Sequence, residues 1–306
     1  MKLDQNEIWI PKKIGYSMGE PIVELVRLLA VPESFFSDLD IGEYDERVRM
    51  PLMDINIQRV GKDIDPKGIL FHLPRSGSTL IARILSALPG NVVVVEPEAI
   101  NALLSHSFGA KNLKVIWLRQ LIQIYGASFR ASGQNYFIKT SSWNILFAHF
   151  FSDAFRGVPM GVVYRDLIEV MVQILERPTG WMADNARSFM LGESVQGKDD
   201  MNLSEYCLCV LERFLLIIEQ HKSSIKMLDY GRFPNLILDD LRNCYDIQVN
   251  AGNRHELLEI TQLDSEDWLG ETIFEPDSHN LKRQAPSILV EQINERLEPI
   301  LSRIKS

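Results

Sequence analysis

Residues Pro74-Arg75-Ser76-Gly77-Ser78-Thr79 place one fixed cation, three hydroxyls and one glycine within six positions. That set suits an anion with several oxygens. Gly77 lets the backbone approach closely, Ser78 and Thr79 offer hydroxyl donors, and Arg75 carries a planar fork of N–H groups. The flanking pattern changes period here. Gly68 to Phe71 is an apolar run after the breaker pair Asp65-Pro66 and reads as a short buried strand. From Thr79 onward, Leu80, Ile81, Ile84, Leu85 and Leu88 recur at helical spacing until Pro89-Gly90 stops them. A strand, loop and helix in that order gather backbone N–H groups at the positive end of the helix, so the stretch reads as a phosphate cradle. It lacks the nucleotide-kinase pattern G-x-x-x-x-G-K-[ST]. Ser78 stands where the lysine is needed, and no glycine stands five positions before Gly77.

The elements that must position this loop follow from the rest of the pattern. Asn91 to Val95 reads as a strand buried on both faces, ending at Glu96-Pro97-Glu98, with a helix through Leu104. Leu113 to Ala127 reads as a helix, Tyr136 to Lys139 as a strand, and Trp143 to Phe155 as a Phe-rich helix. Met160 to Tyr164 is the next strand, giving way at Arg165-Asp166 to a helix through Leu175. Ser204 to His221 reads as a helix with Ser204 as N-cap, Ile225 to Leu228 as a strand ending in Asp229-Tyr230, and Pro234 to Asn243 as a helix. This alternation predicts an α/β fold, a doubly wound parallel sheet flanked by helices, with ligands beyond the carboxyl ends of the strands. Lys139 closes one such strand, where it can neutralise charge on a leaving phosphate.

Composition narrows the partners. The 306 residues carry 32 Lys and Arg against 41 Asp and Glu, a net charge of −9, so no general basic surface awaits nucleic acid or an anionic membrane. Three cysteines, Cys207, Cys209 and Cys244, make no disulfide or zinc framework, which fits a reducing compartment, and Cys207 and Cys209 read as core thiols. The N-terminus has no signal- or transit-peptide pattern, no apolar run has the length of a membrane span, and the expected location is cytoplasmic. The chain divides into an N-terminal helical extension, 1–66, and an α/β domain, 67–306. In the extension Ile22, Val23, Val26, Leu28 and Leu29 suggest a helix after Pro21, followed by an acidic, aromatic stretch over 33–46. A cap over a substrate pocket, an arm for a homodimer and an extra layer all remain open readings of this segment.

The loop resembles the 5′-phosphosulfate loop of PAPS-dependent sulfotransferases, whose P-R-S-G-S-T-L form stands here letter for letter. The likeness extends over 67–290. It implies a P-loop NTPase-like sulfotransferase architecture, PAPS as cofactor with PAP as product, and no metal. The stretch Lys139-Thr140-Ser141 resembles the family's K-T-H segment, whose lysine contacts the departing phosphate. Ser141 occupies the histidine position, so the base common in the family is missing. Glu96 is then the candidate base, a partly desolvated carboxylate, with Glu98 as a substrate contact or first-turn acid and His72 and His106 as weaker alternatives. VVYRDLIEVMVQ, 162–173, resembles the 3′-phosphate element, with Arg165 on the arginine position and Gln173 in place of its serine. Tyr230 matches an adenine-contacting tyrosine. Leu80 replaces a tryptophan, leaving Trp181 as a candidate second wall. Lys282 and Arg283 fall in a stretch, 274–286, that resembles the late loop closing on PAPS.

The implied function is transfer of the sulfuryl group of PAPS to a hydroxyl or amine of a small molecule. Lys139 and Arg75 would stabilise the bridging oxygen, with Glu96 as base and Ser76, Gly77, Ser78 and Thr79 as the cradle. A P-loop kinase and a catalytically lapsed PAP-binding or interaction protein are the alternatives. Phe- and Met-rich helices point to an apolar acceptor pocket.

Overall fold

The structure is a computed structural model that describes residues 7–29, 35–37, 44–57, 64–107, 110–131, 135–182, 186–192, 195–233, 237–249, 251–261 and 278–306. The chain opens with strands β1 (Ile8–Ser17), β2 (Glu20–Leu28), β3 (Phe35–Ser37) and β4 (Tyr44–Pro51). The segment expected as a helix after Pro21 is therefore the strand β2. Its sequence IVELVRL suits both periods, and the pairing decides: β1 flanks it on one side and β4 on the other, both antiparallel. Val23, Leu25 and Val26 are then fully buried on the two faces.

From β5 (Gly68–His72) strands and helices alternate: α1 (Ser78–Ala87), β6 (Asn91–Val95), α2 (Glu98–Ser105), α3 (Lys111–Ala131), β7 (Asn135–Lys139), α4 (Ala148–Ala154), β8 (Met160–Tyr164) and α5 (Leu167–Glu176). Then follow α6 (Arg187–Leu191), α7 (Leu203–Gln220), β9 (Ile225–Asp229), α8 (Ile237–Tyr245), α9 (Ala251–Ile260), α10 (Ser278–Gln284), α11 (Ser287–Arg296) and α12 (Glu298–Lys305). The second sheet has the order β3-β6-β7-β5-β8-β9. Its pairs β3 with β6, β6 with β7, and β7 with β5 are parallel. The α/β alternation and parallel sheet read from the sequence are present, and they suit a Rossmann or P-loop-like fold. Two boundaries differ. Asn202, whose side chain accepts from Glu205 N at 2.9 Å, caps α7 in place of Ser204. The Phe-rich segment begins as a 3-10 turn over Ser142–Phe147, set by the Ser141 and Asn144 capping box, before α4. Of the helix expected over 234–243, residues 234–236 lie outside the described residues, as do 274–277 of the late loop.

Two compact units result: Met1–Leu70 with Ile81–Met160, and Phe71–Leu80 with Gly161–Ser306. In the first, α3 anchors β1, Tyr125 and Ser128 donating to the carbonyls of Pro11 and Trp9 at 2.8 and 2.7 Å. In the second, Val162, Val163, Leu167, Val170, Leu211, Phe214 and Leu215 are fully buried around β8, α5 and α7. Among the described residues no helix is long and apolar enough to cross a membrane.

Candidate functional site

The second unit carries the loop. Beyond β5 the chain turns at Pro74-Arg75, and both Arg75 (φ 56°) and Gly77 (φ 78°) lie in the left-handed region before α1 begins at Ser78. The Ser76 hydroxyl donates to Leu73 O at 2.6 Å, so it braces the turn. Ser78 and Thr79 sit in the first turn of α1, and their hydroxyls have no protein partner among the described residues. The first-turn N–H groups of a helix likewise lack partners within the helix. Arg75 is not simply aimed at this cradle. Its Nη2 donates to the carbonyl of Arg177, the C-cap of α5, at 2.8 Å.

Gly77 has a second reason to be glycine. A Cβ there would stand 2.2 Å from Cε2 of Tyr230, whose ring lies against the loop. Tyr230 opens the turn after β9, where Asp229 accepts from Gly231 N at 2.8 Å. Its ring also meets Phe233, with centroids 4.8 Å apart, and the Arg165 guanidinium, 5.1 Å from the centroid. Tyr230 thus joins the loop to Arg165 by packing.

Arg165 follows β8 and is buried, its Nε donating to Glu169 Oε2 at 2.5 Å. The local ion partner is therefore Glu169, one turn along α5. Asp166 instead caps α5, accepting from the N–H groups of Ile168 and Glu169 at 3.1 and 3.3 Å. Lys282 on α10 reaches Asp166 at 2.6 Å and Glu169 at 3.6 Å, and the hydrogen bond to Asp166 raises its pKa. Two cations and two carboxylates balance there. The i, i+4 spacing of Arg165 and Glu169 was legible in sequence; the reach of Lys282 was not. Gln173 is half-buried in the second half of α5, and Arg283 is exposed on α10.

The first unit carries the other cluster. Lys139 ends β7 with its side chain 2% exposed, and its ammonium donates to Glu96 Oε1. Among the described residues that is its one partner, leaving N–H donors unused. Glu96, at the end of β6, has φ 48° and is 42% exposed, so it is reachable from solvent rather than desolvated. Its second oxygen accepts from the Ser141 hydroxyl at 3.3 Å. Asn101 donates to Ser141 Oγ at 2.9 Å, and Asn144 donates to Asn101 at 3.1 Å. Sequence reading missed both asparagines. The signal for Asn144 was its place three residues after Ser141, as in a capping box. Thr140 is turned to the sheet, donating to Leu70 O at 3.2 Å.

Other candidates fall elsewhere. Glu98 is the exposed first residue of α2. His106 is stacked on Tyr16, centroids 3.4 Å apart, and its carbonyl accepts from Lys114, whose ammonium is held below its usual pKa by desolvation. His72 Nδ1 lies 3.0 Å from Leu73 O. Trp181, the candidate second wall, is buried against Tyr206 and Phe214, centroids 6.0 and 5.7 Å away. Burial pushes the Cys207 and Cys244 thiols up to about 12, as expected of inert core thiols, while Cys209 is half-buried beside Arg296 at 3.2 Å. Among the described residues no group of three or more His, Cys, Asp or Glu is placed to hold a metal ion.

The described residues therefore offer a loop at a helix start braced by an aromatic ring, and a buried lysine bonded to an accessible carboxylate. Neither a protein-family model nor a curated protein matches its sequence.

Proposed function

We propose that the chain is a sulfotransferase that moves the sulfuryl group of PAPS to a hydroxyl or amine of a small acceptor without a metal. The observation that carries this reading is Lys139, a buried ammonium with donors to spare among the described residues, at the carboxyl end of a parallel strand and bonded to one accessible carboxylate.

The residues present fit the phosphosulfate end of the cofactor: small side chains, a glycine that brings backbone N–H groups close, and the spare hydroxyls of Ser78 and Thr79. These would hold the 5′ end, with Arg165 at a 3′-phosphate and Tyr230 at the adenine. When bound, PAPS supplies the activated sulfuryl group. In this reading Lys139 meets negative charge developing on the leaving oxygen, and Glu96 accepts the acceptor's proton. Ser141 replaces the family's histidine in position only: its hydroxyl holds Glu96 Oε2 and so orients the base. A positioned general base contributes ~10²–10⁴-fold to rate.

One observation favours a rival. Arg165 and Lys282 already face Glu169 and Asp166, a balance that a 3′-phosphate must disturb and a nucleotide lacking one need not. That nucleotide would belong to a phosphoryl transferase. Calorimetric titration with PAP in EDTA, beside ADP with and without Mg²⁺, separates the two. Micromolar PAP binding in chelator, weakened at least tenfold by Arg165→Gln, is expected. Binding of ADP only with Mg²⁺, and none of PAP, would replace this reading by the phosphoryl transferase. Failure of both nucleotides would leave a lapsed enzyme.

A further inference from the structure

The antiparallel sheet of the first unit has the order β1-β2-β4. β2 takes the inner side of β4 in a regular register from Glu46 to Pro51, and among the described residues no strand pairs with its outer side. The opposite edge differs. In β1 the carbonyls of Trp9 and Pro11 accept side-chain hydrogen bonds from α3, and a bulge between Pro11 and Lys13 interrupts the strand. β4 is the edge of this sheet suited to take another strand.

β4 carries Asp45 and Glu46 at its start and Arg47 and Arg49 further along, and it is the arginine end that lies across β2 from a basic stretch of β1. Arg47 and Arg49 stand at alternate positions of β4 and so share a face. They remain 49% and 68% exposed although they reach Glu24, a buried carboxylate of β2, at 3.5 and 2.5 Å. Lys13 opposes Glu24 from β1. Lys12 lies 4.6 Å from the Tyr44 ring, and the Tyr44 hydroxyl accepts from Arg47 at 2.6 Å. These neighbours, Arg47 first, lower the Tyr44 pKa. Arg47 and Arg49 thus share the Glu24 carboxylate, with Lys13 opposite it in register and Lys12 at the neighbouring Tyr44, in a chain whose net charge is −9. No run of basic residues announces this, because the cations come from strands far apart in sequence.

We infer that β4 is a docking edge for an extended acidic segment of a partner protein, which adds as a further strand with carboxylates at alternate positions facing Arg47 and Arg49. Side chains on one face of a strand repeat every ~6.8 Å, so the arginines and the acids of an added strand keep the same spacing. Opposite charges directly across a strand pair stabilise it, and like charges do not. A second copy of this chain is disfavoured in the register that sets Arg47 opposite Arg49. The inference is independent of the proposed sulfotransferase activity.

The test is fluorescence anisotropy on the whole protein with a labelled peptide of alternating Glu and Thr, as long as β4. Comparison probes are its Gln-for-Glu version, a version with one central proline, and an oligonucleotide of equal charge. Saturable binding of the Glu peptide, weakened at least tenfold by salt, by the Gln version, by the proline and by Arg47→Gln with Arg49→Gln, is expected. Amide exchange on the unmodified protein supplies a readout that needs no variant: the peptide should slow exchange within 46–51. No binding would overturn the inference and leave the charges as a guard against edge aggregation. Equal binding of the proline version would remove the strand, and tighter binding of the oligonucleotide would replace the peptide by nucleic acid.

Discussion

Glu96 and Lys139 are tied to each other twice. The backbone N–H of Glu96 donates to the carbonyl of Lys139 at 2.7 Å, and the Lys139 ammonium donates to the Glu96 carboxylate. The first bond continues the parallel pairing of β6 with β7, in which Val95 lies opposite Lys139. The residue just past that pair adopts φ 48°, a conformation that costs a non-glycine residue ~1–2 kcal/mol. The turn that carries the carboxylate back over the lysine is therefore strained, and the side-chain bond helps to hold it.

Replacing Glu96 separates strain from chemistry. Glu96→Ala and Glu96→Gly both remove the bond to Lys139, but only glycine relieves the backbone. The glycine variant is expected to be more stable than the alanine variant by about 1 kcal/mol in denaturant titrations. Under the proposed function both lose sulfuryl transfer by ~10²-fold or more while retaining PAP affinity. Equal stability of the two variants would show that the backbone at this position carries no strain.

Gly77 and Tyr230 should be coupled. Gly77→Ala meets both a left-handed backbone and the tyrosine ring, and is expected to cost more than ~1–2 kcal/mol. Adding Tyr230→Ala frees the space but leaves the backbone strained. A double-mutant cycle should then return an interaction of about 0.5–3 kcal/mol. Additive effects would mean that the ring does not rest on the loop.

Arg165 and Glu169 form a pair buried on both sides, 6% and 5% exposed. Truncating one partner strands the other, and Glu169→Ala should destabilise the protein by about 3–5 kcal/mol. Arg165→Met with Glu169→Leu should recover much of that loss, because burying two apolar groups avoids the cost of burying two charges. If the double variant is as unstable as Glu169→Ala, the ion pair is needed for more than its own neutralisation.

Stability should fall at alkaline pH through the buried thiols. Cys207 and Cys244 are pushed from 9.0 up to about 12 by burial, so the folded thiols keep protons that unfolded ones release. Their contribution is fully present below the unfolded value and is lost as pH rises toward the folded one. The slope approaches ~1.4 kcal/mol per pH unit for each thiol in that window. Unfolding titrations at stepped pH should show a shallower decline for Cys207→Ala with Cys244→Ala. An unchanged slope would assign the decline to other groups, such as the buried tyrosines Tyr164 and Tyr206, whose values are also raised by burial.

The sequence by itself determined what is local. The apolar run of β5, the small residues of the loop and the helical spacing of α1 are properties of neighbouring residues, and backbone sterics turn them into a strand, a left-handed turn and a helix start. The later strands were legible for the same reason, as short apolar runs between breakers. The N-terminal strand β2 was not, because IVELVRL satisfies either period until β1 and β4 supply hydrogen bonds on both sides. Apart from the i, i+4 pair of Arg165 and Glu169, tertiary structure decided what these charged groups touch. Strand order brought Glu96 to Lys139, the placement of α10 gave Lys282 to Asp166, and sheet register gathered Arg47, Arg49, Lys12 and Lys13 around Glu24 and Tyr44. Electrostatic partners are fixed by distance in space, and a chain reveals that distance only after its strands have chosen their neighbours.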